Sequence, residues 1–437
     1  MFAMLTACSD SGKEPAAVEE VPKLEEVSFE ASRVVINGAP DGYAGQNELE
    51  QAFDTNTFYY RNHVDDGSKY GCPILMLAEP DGSVKALCGL NGCRHDSPSC
   101  RAYDDSFGRY FTVGDRLYYL KTDNDVYSAG NPCLKIYRVT EDSREQIVDL
   151  NGSADIYESN ENVITDGECL YIMVSHENEG RMLERVNLSD GSIEKIASFE
   201  ELSGGSENSR VIMYPSEDGH EEEISGYYGP IELQAVSDDG GYILFVQKLL
   251  PIRSTHENLY VLRAFSIYDG SSTVIATSGR MANDSGSLSG RLYFYGGNIF
   301  RLNRKDAAFE KCSVGGSSWK LLWDLSNERD KFDTLKLKYF DGEKVIFKGQ
   351  IEKPYITIST YVYDLGTDEL SVNNLKTRST ILRNTRFPDI FAISPDYMII
   401  DVTNYEDYTY DLAVIAKTDL YAENPRFKDM GHVSDFY

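Results

Sequence analysis

Three cysteines and a histidine fall within thirteen residues, in the order Cys88-x4-Cys93-x-His95-x4-Cys100. Three thiolates and one imidazole are the donor set of a closed, tetrahedral zinc site. The same cysteines, in an oxidising compartment, could instead pair as disulfides that staple a long loop. The spacing matches neither common finger signature. His95, two residues after Cys93, favours metal, because alternate residues of an extended segment point the same way. Cys72 and Cys133 each stand where a loop gives way to an apolar run. They are candidates to join the same corner, so the expected metal or disulfide group is Cys72, Cys88, Cys93, His95, Cys100 and Cys133. Cys169 and Cys312 lie inside apolar stretches and read as small buried residues. Cys8 aside, seven cysteines remain. That number is odd, so at least one thiol lacks an intramolecular partner.

The elements that must hold this loop are many and short. A run rich in Tyr, Phe, Leu and Ile recurs around Tyr59, Tyr118, Tyr171, Ile243, Tyr293, Ile346 and Met398. The intervals are 50–59 residues, except for one of 72 between Tyr171 and Ile243. A period of about fifty residues is that of propeller blades, not of helical solenoids. Asp-Gly at 81–82, 190–191 and 269–270 marks tight hairpin turns, and Gly366 stands in a similar place. A short stretch ahead of most repeats supplies a further strand. The expectation is an all-β, seven-bladed β-propeller with four-stranded antiparallel blades, six or eight blades being the alternatives. The segment Val27 to Ile36 is expected to complete the last blade and seal its edge. The wealth of Tyr is expected to pack one blade against the next. The long interval holds an acidic, Gly/Ser-rich insertion at about 200–232, read as a surface loop.

In such a ring the Cys loop connects the outer strand of one blade to the inner strand of the next. It therefore emerges on the same face as the loops between the two middle strands of each blade. Ligand-binding loops are expected on that face: 122–132, 176–181, 250–258 and 404–409.

The chain start carries an address. Leu5-Thr6-Ala7-Cys8 resembles the lipobox of bacterial lipoproteins, whose cysteine is lipidated after signal cleavage. Residues 1–8 thus read as a truncated signal segment and lipobox, 9–26 as a flexible acidic tether, and 27–437 as the propeller. Lipidation of Cys8 implies an extracytoplasmic protein held to the cell membrane by its N-terminal lipid alone.

The chain has 42 Lys and Arg against 71 Asp and Glu among 437 residues, a net charge of −29. Nucleic-acid partners need clustered basic residues, and this balance argues against them. Catalytic signatures are missing. No Gly-x-Ser-x-Gly, His-Glu-x-x-His, Walker loop or dinucleotide fingerprint occurs. Ser237-Asp238-Asp239-Gly240-Gly241 brushes the Asp-box of sialidases, but Leu244 replaces its aromatic residue. His220 beside Glu221, Glu222 and Glu223 reads as a solvated charge run, and Asp123-Asn124-Asp125 as a turn rather than a calcium ligand set.

The run Leu87-Cys88 to Cys93-Arg94-His95-Asp96 and Cys100-Arg101-Ala102-Tyr103 resembles a stretch that recurs in uncharacterised propeller lipoproteins of Gram-positive anaerobes. Those proteins are loosely similar to the propeller of the low-density-lipoprotein receptor. The resemblance implies a fold and an address, and it carries no catalytic residues. No repeat here shows the receptor's Tyr-Trp-Thr-Asp motif. The expected function is a binding or interaction scaffold in the bacterial envelope, monomeric, with a protein or glycan ligand. The alternative is an extracellular hydrolase or lyase of glycan or peptide, with carboxylates at the propeller channel. The expected cofactor is at most a structural zinc at the cysteine loop.

Overall fold

The computed structural model describes residues 22–37, 50–64, 72–97, 100–104, 108–123, 133–140, 143–152, 162–215, 220–252, 258–278, 292–303, 308–316, 318–324, 334–351, 357–373, 390–402, 410–422 and 425–433. These residues form a ring of small antiparallel sheets with two very short α-helices, Phe199–Ser203 and Lys417–Leu420. No helix among them is long and apolar enough to cross a membrane.

Five sheets stand by themselves: three strands at 58–86, four at 108–149, five at 211–277, four at 292–324 and four at 334–373. The expectation of seven separate blades is corrected here. The remaining strands belong to one ten-stranded sheet. One arm of it is built from 163–198 and the other from 390–433. The physical reason is a hydrogen-bonded link that local patterning does not reveal. Strand Arg33–Asn37 pairs antiparallel with Val163–Thr165, with Val34 opposite Ile164. Its other edge pairs with Glu50–Ala52, Ile36 opposite Gln51. Glu50–Ala52 in turn runs parallel to Ile390–Ile393, Gln51 opposite Ala392.

Val27 to Ile36 therefore does not complete the last blade, whose outer strand is its own Phe427–Val433. Residues 33–37 lie in the middle of the ring instead, beside the inner strands Gly108–Val113 and Glu221–Val236 as well. Val35 and Ile36 are fully buried there. Arg33 donates to the Asp54 carboxylate and to the Thr112 carbonyl oxygen.

The stretch before this strand is a strap. Phe29 is buried and meets Phe294 edge-to-face, ring centroids 5.4 Å apart. Asp238 N–H donates to Ser28 O at 2.8 Å, and Asp238 Oδ1 accepts from Ala31 N–H at 2.9 Å. Tyr242 Oη donates to Pro22 O at 2.7 Å. Residues 22–26, the end of the segment read as tether, thus sit on the ring, with a 3-10 turn at Leu24–Glu26.

Each sheet is too small to hold alone, and the cores are shared between neighbours. One cluster joins 108–149 to the 163–188 strands around Val35 and Ile36. Another joins the last arm, through Phe391, Ile399 and Val414, to Phe58, Leu75 and Tyr110, which closes the ring. Across the same seam, Asn56 Nδ2 donates to Asp396 Oδ2 at 2.9 Å. Tyr110, Tyr118, Tyr119, Tyr171 and Tyr214 are among the largest fully buried side chains, so tyrosine packs the sheets together. Among the described residues of the segment at 200–232, much is helix and strand. The helix Phe199–Ser203 starts in a capping box from Ser198 and Glu201, and Val211–Pro215 then pairs with the long strand Glu221–Val236.

The Asp-Gly turns form as expected. Gly82, Gly191 and Gly270 adopt φ of 82°, 72° and 72°, where a side chain would be strained. In each turn the preceding aspartate accepts from the serine N–H two residues on, Asp190 from Ser192 for example. At the fourth turn the left-handed residue is Asp368, φ 61°, and not Gly366.

Candidate metal centre

The Cys loop interrupts the outer edge of the 58–86 sheet. Strand Val84–Ala86 pairs with Cys72–Ala78, and Leu87 N–H then donates to Leu75 O at 2.9 Å. The chain leaves the edge at Cys88 and returns at Ala102, whose carbonyl accepts from Leu75 N–H at 2.7 Å. Tyr103 bridges Ile74. Both ends of the excursion are thus fixed to the backbone of one residue, Leu75.

Inside the loop, Cys93 N–H donates to Leu90 O at 3.2 Å and Cys100 N–H to Ser97 O at 2.8 Å. Gly92 has φ 77° and His95 φ 58°. These turns bring Cys88, Cys93, His95 and Cys100 together, with their ligand atoms all within 4.8 Å of one another. Cys93 Sγ lies 3.5 Å from Cys100 Sγ, and His95 Nδ1 lies 3.3 Å from the same sulfur. The four residues are each half-buried and could hold a metal ion. The three thiols are free of disulfide bonds, as are Cys169 and Cys312.

Electrostatics separate the thiols. The His95 backbone N–H, more than the neighbouring Cys100, holds Cys93 below the ordinary thiol value. Burial pushes Cys100 up to about 11. Asp104, immediately beyond the loop, is fully buried. It accepts from Tyr110 Oη at 2.9 Å, Tyr119 Oη at 3.2 Å and Arg144 Nη1 at 3.4 Å. Arg144 also donates to Tyr103 O at 2.8 Å. The loop exit is thereby tied to the 108–149 sheet.

No family model and no curated protein matches the chain. Solved structures do. They include an oligogalacturonate lyase from Vibrio parahaemolyticus, 12% identical over 86% of each chain, TM-score 0.44. The propeller domain of the Trilobed protease from Pyrococcus furiosus is 13% identical over 71% of this chain and 83% of that one, TM-score 0.35. A prolyl endopeptidase is 10% identical over 93% of this chain and 50% of that one, TM-score 0.49. The chain's own sheets form a propeller-like ring.

Of the six residues expected at the propeller's cysteine corner, four assemble. Cys72 and Cys133 begin the strands Cys72–Ala78 and Cys133–Val139, and their side chains are outside what is described. Cys8 lies outside the described residues. So do 124–132, 253–257 and 403–409, which take most of three proposed ligand loops. The fourth, at 176–181, is a tight hairpin between paired strands, with Glu179 bridged to Lys195 and Arg181 to Glu207. Of the acidic run 221–223, Glu221 pairs with Arg263 at 3.2 Å. The near Asp-box is structural: Asp239 Oδ1 accepts from Ser237 Oγ and Gly241 N–H, while Asp238 holds the strap.

Two features escaped sequence reasoning. Phe29, an aromatic in an otherwise acidic stretch, was the available signal for the strap. Glu184, 1% exposed and 2.7 Å from His176 Nε2, left no signal at all, since its strand reads as amphipathic.

Proposed function

We propose that this propeller is an interaction scaffold of the bacterial envelope, anchored through lipid on Cys8, monomeric, and binding a protein or glycan through its loops. The observation that carries the reading is the strand Arg33–Asn37 in the middle of the ring. Its buried Val35 and Ile36 lie against the strands Gly108–Val113, Val163–Thr165 and Glu221–Val236, which favours recognition through the outer loops. Of the buried acids, Asp104 is committed to structure, whereas Glu184 has one oxygen on His176 and its Oε2 without a hydrogen-bond partner. Asp104 answers two tyrosine hydroxyls and an arginine, and Glu184 faces the 108–149 sheet beside His176. Loops carried on a rigid ring are the usual seat of recognition in such architectures.

The test pairs a glycan and peptide array with a turnover assay on every ligand that binds. Binding without turnover supports the scaffold. Turnover by the purified chain would overturn it in favour of the hydrolase or lyase. Mass spectrometry of the native protein tests the anchor: an acylated Cys8 at the mature N-terminus supports it, and an unmodified, uncleaved start refutes it.

A further inference from the structure

We infer that Cys88, Cys93, His95 and Cys100 bind one Zn²⁺ as a closed structural site, which holds together the interrupted outer edge of the 58–86 sheet. Such a site forms whatever the ring binds.

Its first support is size. With zinc–sulfur bonds of about 2.3 Å, tetrahedral ligands stand about 3.7 Å apart. The contacts of 3.5 Å and 3.3 Å at Cys100, inside a group whose members all lie within 4.8 Å, have that dimension. A disulfide needs sulfurs about 2.05 Å apart. Closing one would use only two of the four gathered donors. Its second support is donor chemistry. Three sulfurs with one imidazole nitrogen select zinc over magnesium or calcium, which take oxygen ligands. Four protein donors leave no open position for catalysis, so the ion is structural.

Its third support is the loop's own poverty of packing. Leu90, at its tip, is 74% exposed, and Gly89 and Gly92 have open space around them. Among the loop's described residues, only Cys88 and Cys100 touch the neighbouring apolar cluster, and they are themselves ligands. Residue His95 sits at φ 58°, a conformation that persists where surrounding contacts over-determine it. An excursion with so little apolar area has few means of offsetting its lost chain entropy without a cross-link. The 108–149 sheet has a complete outer strand, Arg144–Asp149. Here the outer edge is Val84–Ala86, the metal loop, then Ala102 and Tyr103 returning to the same strand.

The whole chain is purified reduced, with zinc supplied, and its metal is counted by mass spectrometry. About one zinc per chain is expected, falling to none in Cys93→Ser and in Cys100→Ser and unchanged in Cys72→Ser and Cys133→Ser. Stripped wild type titrated with Co²⁺ provides a readout independent of the variants' folding. Intense thiolate-to-cobalt charge transfer and tetrahedral d–d bands are expected. Exchange of the Leu75 amide proton should speed up on stripping and recover with zinc. The proposal is overturned by a folded, reduced chain that takes up no zinc. It is equally overturned by cobalt bands of octahedral weakness, by metal loss in Cys72→Ser or Cys133→Ser, or by a native disulfide among 88, 93 and 100.

Discussion

Replacing Asp104 tests whether the loop exit is held by a buried charge. Its carboxylate is fully buried and accepts from two tyrosine hydroxyls and the Arg144 guanidinium, 2.9–3.4 Å away. Asp104→Ala removes all three acceptor contacts at once and leaves Arg144 next to an empty site. Losing one member of a buried ion pair destabilises by about 3–5 kcal/mol. Arg144 is 21% exposed and keeps the Tyr103 carbonyl, so the lower end, about 3 kcal/mol, is expected. Asp104→Asn retains the shape and one acceptor oxygen while losing the charge, for about 1–3 kcal/mol. In an Arg144→Met background the Asn change should be milder, with a coupling of about 1 kcal/mol or more. Urea denaturation at neutral pH, followed by circular dichroism and by fluorescence, reads the series when both probes coincide. An Asn variant within about 0.5 kcal/mol of wild type would behave like a surface change. That result, or a coupling of zero, refutes the reasoning.

Gly191 and Gly270 share φ 72°, but a Cβ on Gly191 would lie 2.3 Å from Ile147 O, whereas Gly270 has nothing within 4 Å. Gly270→Ala should therefore cost about 1–2 kcal/mol from backbone strain alone, and Gly191→Ala about 1–3 kcal/mol more; equal losses in denaturant melts would contradict this. Burial raises the Glu184 carboxyl above its ordinary 4.5, with His176 pulling the other way. The folded state therefore holds that proton more tightly than the unfolded state, and wild-type stability drains as pH rises from 4.5 through the raised value. Glu184→Gln lacks this loss, so its melting temperature should gain on wild type between pH 4.5 and neutrality; a pH-independent difference rules the account out. In chelator-treated protein, iodoacetamide should label Cys93 before Cys100, because the first thiol is held low and the second is pushed to about 11. Peptide mapping that finds Cys100 labelled first would reverse the assignment.

Much of the ring was legible because its signals are local. Period-two apolar runs at regular spacing announce strands, and Asp-Gly between them announces turns; Gly82, Gly191 and Gly270 answer as expected. The link through Arg33–Asn37 was not legible, since a Val-Val-Ile run pairs as well with one open edge as with another. Only the assembled ring leaves Val163–Thr165 and Glu50–Ala52 as its neighbours. The same division holds at the cysteines. Spacing alone put Cys88, Cys93, His95 and Cys100 in one loop. Gathering their ligand atoms depended on left-handed backbone at Gly92 and His95, and the second of these is not a residue that advertises it. Asp104 and Glu184 are carboxylates among 71 acidic residues, and burial is a property of the partners, not of the residue.

The strap fixes a direction in space. It contacts the Asp238–Gly240 turn, between a first and a second strand, and Gly315, between a third and a fourth. In an antiparallel ring such turns share one rim, and the cysteine loop rises from the other. The described chain therefore starts, at Pro22, on the rim opposite the cysteine loop. If lipid on Cys8 anchors the protein as proposed, the cysteine loop stands on the rim away from the point where the described chain starts.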